Sequence, residues 1–155
     1  MIDVYAELKR IINALSENKI EYAVCGGWAM AIHGVPRATV DIDLLISADS
    51  LEQVFDIARL NDYLLVGLPM TFNNGQTEIR RISKIDDETG FVLMLDLLLV
   101  TPELNDVWQQ KLTKPLENSS VSVVSRKGLI KMKTMSGRTQ DKADIEKLAE
   151  IEDEN

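Results

Sequence analysis

Apolar residues recur at helical spacing near the start of the chain: Val4, Leu8, Ile11, Ile12 and Leu15, with Glu7, Lys9, Arg10 and Asn13 between them. The pattern predicts an amphipathic first helix whose polar positions face solvent, ended by Ser16-Glu17-Asn18-Lys19. Residues 22–25 follow as a strand that runs into Gly26-Gly27, and residues 28–33 form a short, almost wholly apolar helix. After the turn at Gly34-Val35-Pro36, a second strand carries Val40, Ile42 and Leu44 on one face and Asp41 and Asp43 on the other. Leu51, Val54, Phe55, Ala58 and Leu60 mark the buried stripe of a third helix, which Ser47 or Asp49 can cap. A short strand over 63–66 leads to Gly67-Leu68-Pro69 and Asn73-Asn74-Gly75, a loop or hairpin.

Residues 77–85 and 91–100 read as two strands paired antiparallel across Asp86-Asp87-Glu88-Thr89-Gly90. That acidic junction is rich in turn formers and reads as a solvated turn, not a metal site. Thr101-Pro102 opens a polar connection with a short helix over 103–112, and residues 121–124 make a short final strand. Ser125 caps the next helix, Gly137 ends it, and Asp141 starts and caps the last one. The sum is a one-domain α/β (α+β) fold. A small mixed sheet over about 20–125 is flanked by helices, and a helical hairpin over about 125–153 closes the chain.

Charge placement then points to chemistry. Two carboxylates on one strand face repel unless a cation lies between them, so Asp41 and Asp43 are candidate metal ligands. Gly26-Gly27, ahead of a helix and lacking Cβ atoms, lets backbone N–H groups approach a phosphate. Arg37 offers its fork of donors to a phosphate or to one of those aspartates, while Thr39 fixes the loop. Asp96 sits inside Phe-Val-Leu-Met-Leu-Asp-Leu-Leu-Leu-Val, where an ionised carboxylate must be protonated, paired with a cationic side chain or bound to a metal. Cys25 reads as a small core residue, and His33, the only histidine, as a packing residue.

Gly26-Gly27 followed by Asp41-x-Asp43 in an apolar strand resembles the minimal nucleotidyltransferase fold of the DNA polymerase β superfamily. The surrounding residues, Gly-Gly-Trp-Ala-Met-Ala-Ile-His-Gly and Pro-Arg-Ala-Thr-Val-Asp-Ile-Asp-Leu-Leu, are similar to two branches of it. One is the AbiEii-type toxin nucleotidyltransferases; the other is the small aminoglycoside and lincosamide nucleotidyltransferases. The resemblance implies transfer of a nucleoside monophosphate from an NTP to an acceptor hydroxyl. Two Mg²⁺ ions, or Mn²⁺, would be held by Asp41, Asp43 and Asp96, the last on a strand next to the Asp-x-Asp strand. Leu-Ile, Lys, Gly-Arg and Asp-x-x-Asp-Ile in the last third extend the match. By that match Lys133 reaches the phosphates, and Arg138 and Asp144 line or brace the same pocket. Lys131, two positions from Lys133 on a helix, competes for that role, since both cannot face the site. Trp28 stands where many members carry a serine. That departure supports a rival reading, a non-catalytic descendant that binds a nucleotide or a partner.

Composition narrows the partners. With 155 residues, 45% hydrophobic and 27% charged, the sequence is expected to form one domain with a core of ordinary size. No apolar run reaches spanning length, and one cysteine makes no disulfide framework, so a cytoplasmic protein without a membrane segment is expected. Seventeen Lys and Arg against 25 Asp and Glu leave a net charge of −8, which argues against general nucleic-acid binding. Much of the excess lies in an acidic tail over 146–154, read as a solvated helix face. The acceptor stays open between RNA, protein and a small molecule, and the role expected is toxin–antitoxin or unassigned. A homodimer or partner subunit is expected to supply acceptor-binding surface that a chain this short lacks.

Overall fold

The computed structural model describes residues 1–151. Helix α1 (Val4–Glu17) starts at Asp3, whose side chain accepts from the Ala6 N–H at 3.1 Å and satisfies a donor of the first turn. Strand β1 (Ala23–Cys25) passes directly into α2 (Gly26–Ile32), two residues before the predicted start, because Gly26 takes φ +65° and turns the chain without a linker. Strand β2 (Ile42–Ile46) follows, with Asp41 just ahead of it. In α3 (Leu51–Leu60) the buried stripe is Val54, Phe55, Ile57 and Ala58, whereas Leu60 is 86% exposed. Neither Ser47 nor Asp49 caps α3; a 3₁₀ turn over Ala48–Ser50 leads into it with no side-chain cap bond.

β3 (Leu65–Val66) and β4 (Met70–Phe72) both pair with β5 (Thr77–Ile85), which itself pairs antiparallel with β6 (Val92–Leu99) as the turn chemistry predicted. Within that turn Asp86 is buried rather than solvated, accepting from the Ile2 and Glu88 N–H groups and the Thr89 hydroxyl. Helix α4 (Asn105–Gln109) is shorter than the predicted 103–112, because Leu112 already belongs to a strand. β7 (Leu112–Leu116) and β8 (Ser119–Val123) form a hairpin that hydrophobic alternation did not reveal. Its Pro115 would be excluded from a central strand, but β7 is the sheet's edge. Ser125 caps α5 (Arg126–Ser136) by accepting from the Gly128 N–H, and Gly137, at φ +68°, closes it. α6 (Thr139–Ala149) begins two residues before Asp141, which sits in its first turn and accepts from the Arg138 backbone N–H. The predicted end of the hairpin at 153 and the acidic tail over 152–154 lie outside the described residues. Among the described residues no helix is long and apolar enough to cross a membrane.

The strand order is β3-β5-β6-β2-β1-β8-β7, with β4 beside β5. β2 pairs with β6 and β1 with β8 in parallel, and the other pairs are antiparallel, so the sheet is mixed. Alternation along β5 assigns the two faces. Lys84 reaches back to Glu7 of α1, so Arg81, an odd number of residues away, points to the opposite face.

Glu7 corrects a simple reading of the helical pattern. Placed between apolar positions as if solvated, it is buried and accepts from Tyr63 Oη at 2.9 Å and Lys84 Nζ at 2.8 Å, with Arg10 alongside. Tyr63 is itself fully buried. Glu7→Gln keeps the shape and removes the charge that Lys84 faces. We expect it to lower stability by about 2 kcal/mol, the scale of a hydrogen bond to a charged group, read from urea denaturation. A loss below 0.5 kcal/mol, estimated on the scale of an exposed pair, would place this cluster among surface ion pairs.

Candidate active site

The strand registers lay four side chains in one row across the sheet. Cys25 pairs with Asp43, Asp43 with Asp96, and Asp96 with Arg81. The row opens into a cavity of about 530 Å³ that Asp41 also lines. It is also lined by Met132, Lys133 and Ser136 of α5 and, beyond the Gly137 turn, Arg138 and Asp141. Met70, Phe72 and Ile79 give part of the cavity an apolar surface.

Both glycines of the Gly-Gly pair are explained by close approach. A Cβ on Gly26 would lie 2.2 Å from Asp43 Oδ2, and one on Gly27 would lie 2.6 Å from Thr39 Oγ1. Gly26 also needs its positive φ, so it serves the turn and the carboxylate together. Gly26→Ala therefore adds backbone strain of about 1–2 kcal/mol and displaces Asp43. The expected results are a lower urea midpoint and a loss of the raised Asp43 titration by NMR. An unchanged Asp43 titration would mean that the carboxylate has room to move.

The aspartates differ in how they are satisfied. Asp41 Oδ1 is buried with no hydrogen-bond partner, and no described donor reaches the Asp43 carboxylate. Burial, then the charges of Asp96 and Asp41, push Asp43 up to about 7. Burial and Asp96 raise Asp41 as well. An orphaned carboxylate oxygen beside a carboxylate whose burial and acidic neighbours outweigh the charges of Arg138 and Lys133 is a donor set suited to a hard divalent cation, so Asp41 and Asp43 fit that role. Asp96 is paired. Arg81 grips it with Nε to Oδ1 at 2.7 Å and Nη2 to Oδ2 at 3.0 Å. Among the described residues, no three acidic, histidine or cysteine side chains are gathered as a ready metal cluster.

The cationic side of the cavity is a second network. Lys133 is buried, with Nζ 2.9 Å from Asp144 Oδ2 and 3.5 Å from Asp141 Oδ1. Arg138 Nε donates to Asp141 Oδ2 at 2.9 Å. Arg37 pairs with Asp144, not with Asp41 or Asp43, and so ties the loop before β2 to α6. Burial pushes the Asp141 carboxyl up, but hydrogen bonds from Arg138 and Ser136 and the charges of Arg138 and Lys133 outweigh it and hold the group down to about 2. For Asp144, burial is likewise outweighed by Lys133 and Arg37, and its carboxyl is lowered. Lys131 turns outward to Asp106 and Glu103, which leaves Lys133 as the lysine facing the site.

Asp41, Asp43, Asp96, Gly26, Lys133 and Arg138 thus meet at one cavity, while Gly27, Thr39, Arg37 and Asp144 stand behind it as packing and pairing groups. Trp28 stacks on Tyr5 of α1 with ring centroids 5.6 Å apart, away from the cavity lining. His33 Nε2 is 2.8 Å from the Val124 carbonyl, a packing contact, and burial lowers its pKa. Cys25 is buried, as expected of a core residue. Sequence reasoning did not reach Arg81. The signal for it was the β5–β6 turn: counting inward from Ile85 opposite Val92 brings Arg81 opposite Asp96.

Comparison with known proteins places the fold. The profile of a family described as aminoglycoside-2''-adenylyltransferase matches residues 7–150. No curated protein matches the sequence. Among solved structures, a candidate nucleotidyltransferase from Thermotoga maritima superposes with TM-score 0.63 at 18% identity, covering 96% of this chain and 95% of that one. The antibiotic-resistance factor ANT(2'')-Ia is similar in two structures. The one in complex with adenylyl-2''-tobramycin gives TM-score 0.60 at 16% identity, over 93% of this chain and 86% of that one. The solution structure gives 0.60 at 16% identity, over 91% and 79%. At these identities the structural likeness establishes a shared nucleotidyltransferase fold.

Proposed function

The chain belongs to the aminoglycoside-2''-adenylyltransferase family, and from that premise we propose that it transfers a nucleoside monophosphate from an NTP to a hydroxyl of a small cationic acceptor. One observation carries this reading. Asp41, Asp43 and Asp96 line the same cavity as Lys133 and Arg138, so carboxylates for a cation and cationic groups for phosphates share one space, as a metal-bound triphosphate requires. In the reaction the acceptor oxygen bonds to the α-phosphorus, the bond to the β-phosphate bridge breaks, and pyrophosphate leaves.

Asp41 and Asp43 would hold divalent cation, with Asp96 completing the set. Bound there, the cation supplies charge stabilisation for the attacking and leaving oxygens. Asp96 takes the acceptor proton on a carboxylate oxygen. Lys133 and Arg138 steady the phosphates, and the apolar surface at Phe72 gives a base a place to stack. Two facts support a small acceptor over RNA or protein. The ANT(2'')-Ia complex carries an adenylylated antibiotic on a chain that this one covers to 86%, so the shortness of the chain is no argument against such an acceptor. A net charge of −8 also attracts a polycation and repels RNA. An NTP substrate fits a cytoplasmic protein.

The test is incubation with each α-labelled NTP, Mg²⁺ or Mn²⁺, and separate pools of aminoglycosides, RNA and protein. Label in an aminoglycoside supports the proposal; label confined to RNA or protein moves the acceptor toward a toxin-type role. NTP binding without label in any pool favours the rival reading, a non-catalytic binder. Trp28 is the observation behind that rival, since a tryptophan offers no hydroxyl at the motif position.

A further inference from the structure

We propose that Arg81 is a positioning residue that couples nucleotide binding to completion of the metal site, by leaving Asp96 for the nucleotide's phosphates. The inference rests on the transferase reading above and assigns a role to a residue outside the motif match.

Arg81 takes both oxygens of Asp96, at 2.7 and 3.0 Å, so the third carboxylate is committed before any ligand arrives. A guanidinium there also repels a cation brought to the same carboxylate. Asp43 and Asp96 are adjacent in the parallel ladder of β2 and β6, and Arg81 is the next residue in the row. It is the cross-strand countercharge for a pair of carboxylates that would otherwise repel. The two partners differ in freedom. Asp96 is 7% exposed and fixed in a central strand, whereas the Arg81 side chain is 35% exposed and lines the cavity. Of the two, Arg81 is the one able to swing. An anionic triphosphate is the ligand that would hold it elsewhere, because a guanidinium fork matches phosphate oxygens as well as it matches a carboxylate. Released from Arg81, Asp96 would be free to serve with Asp41 and Asp43 as a ligand for the cation. Without nucleotide the pair holds the site closed, which disfavours unproductive metal binding.

The experiment is titration of Mn²⁺ by electron paramagnetic resonance, with and without a non-hydrolysable α,β-methylene NTP, on wild type and Arg81→Met at fixed pH. Wild type is expected to bind Mn²⁺ alone weakly and about tenfold or more tighter with the analogue, within the usual range of coupling between sites. Arg81→Met is expected to bind Mn²⁺ alone about tenfold tighter than wild type, to bind the analogue more weakly, and to lose most of the coupling. A merely structural ion pair would not strengthen Mn²⁺ binding when removed. Equal or weaker Mn²⁺ binding in Arg81→Met, or coupling left intact, overturns the proposal. Arg81→Lys serves if the methionine variant does not fold. It keeps the charge but not the two-point grip, and intermediate Mn²⁺ affinity is expected; wild-type values would count against the role. Failures are separable. Coupling that behaves as described, with no acceptor labelled, overturns the transferase reading alone. Labelling with unchanged Mn²⁺ affinity in Arg81→Met overturns the role of Arg81 alone, and no Mn²⁺ binding by wild type even with the analogue overturns both.

Discussion

Asp43→Asn is expected to abolish nucleotidyl transfer and at the same time to make the protein more stable at pH 8. The first effect follows from removing one of the two carboxylates suited to hold the cation. A loss of about a thousandfold or more in rate, roughly 4 kcal/mol of barrier, is the upper range for a single electrostatic contact in a preorganised site. The second follows from the raised pKa. Burial, Asp96 and Asp41 push the Asp43 carboxyl from an ordinary 3.8 to about 7. The folded state therefore holds this proton more tightly than the unfolded chain does. Below the ordinary value both states are protonated and nothing is lost. As pH rises through the window up to about 7, the unfolded chain ionises first and stability falls; above it the penalty is complete. Asparagine carries no charge and escapes that penalty. A gain of about 1–2 kcal/mol is expected at pH 8, each kcal/mol raising Tm by about 2–4 °C, and none near pH 4. Added Mg²⁺ should raise the wild-type melting temperature and leave the variant unmoved. Equal stability at pH 8, or transfer retained, would show that Asp43 is neither crowded nor required.

Lys133→Met is expected to give the largest stability loss of any single change in the site. Lys133 is buried between Asp144 and Asp141, and removing it leaves two carboxylates short of a cation. Breaking a buried pair costs about 3–5 kcal/mol. Arg37 still serves Asp144 and Arg138 still serves Asp141, so the lower end, about 3 kcal/mol, is expected here. Both carboxyls lie below their ordinary range, Asp141 at about 2. Their contribution is present above the unfolded value of 3.8 and disappears as pH falls through the folded values. The deficit of the variant, read from urea midpoints, should therefore be full at pH 7 and shrink at pH 3. A deficit of the same size at both would mean that Lys133 acts through packing. Transfer activity should also drop, since the proposed phosphate contact goes with it.

How much of this was readable beforehand depends on the range of each interaction. The apolar strand carrying Asp43, the antiparallel pair of β5 and β6, the Ser125 cap and the Gly137 stop all depend on residues a few positions apart, and all stand in the structure, whereas the alternation read back to Val40 does not, since β2 starts at Ile42 and Val40 is exposed. Hydrophobic rhythm did less well where the environment overrode it. Leu60 fits a helical stripe but lies past the point where α3 touches the core, and Glu7 looks solvated until Tyr63 and Lys84 close over it. β7 was hidden because a Lys-Pro step breaks its alternation, which only an edge position tolerates.

The sequence by itself determined the carboxylate pair and the apolar strand around Asp96, because the strand period dictates which neighbours share a face; the roles expected of the glycine pair, Lys133 and Arg138 in the last third came from the family resemblance. Tertiary structure alone decided what each charge pairs with. Arg37 meets Asp144 across 107 positions and Glu7 meets Lys84 across 77, while Arg81 rather than Arg80 meets Asp96 through strand register. The physical reason is that an ion pair is chosen by distance in space and by access to water, and neither is written in the spacing of residues along a chain.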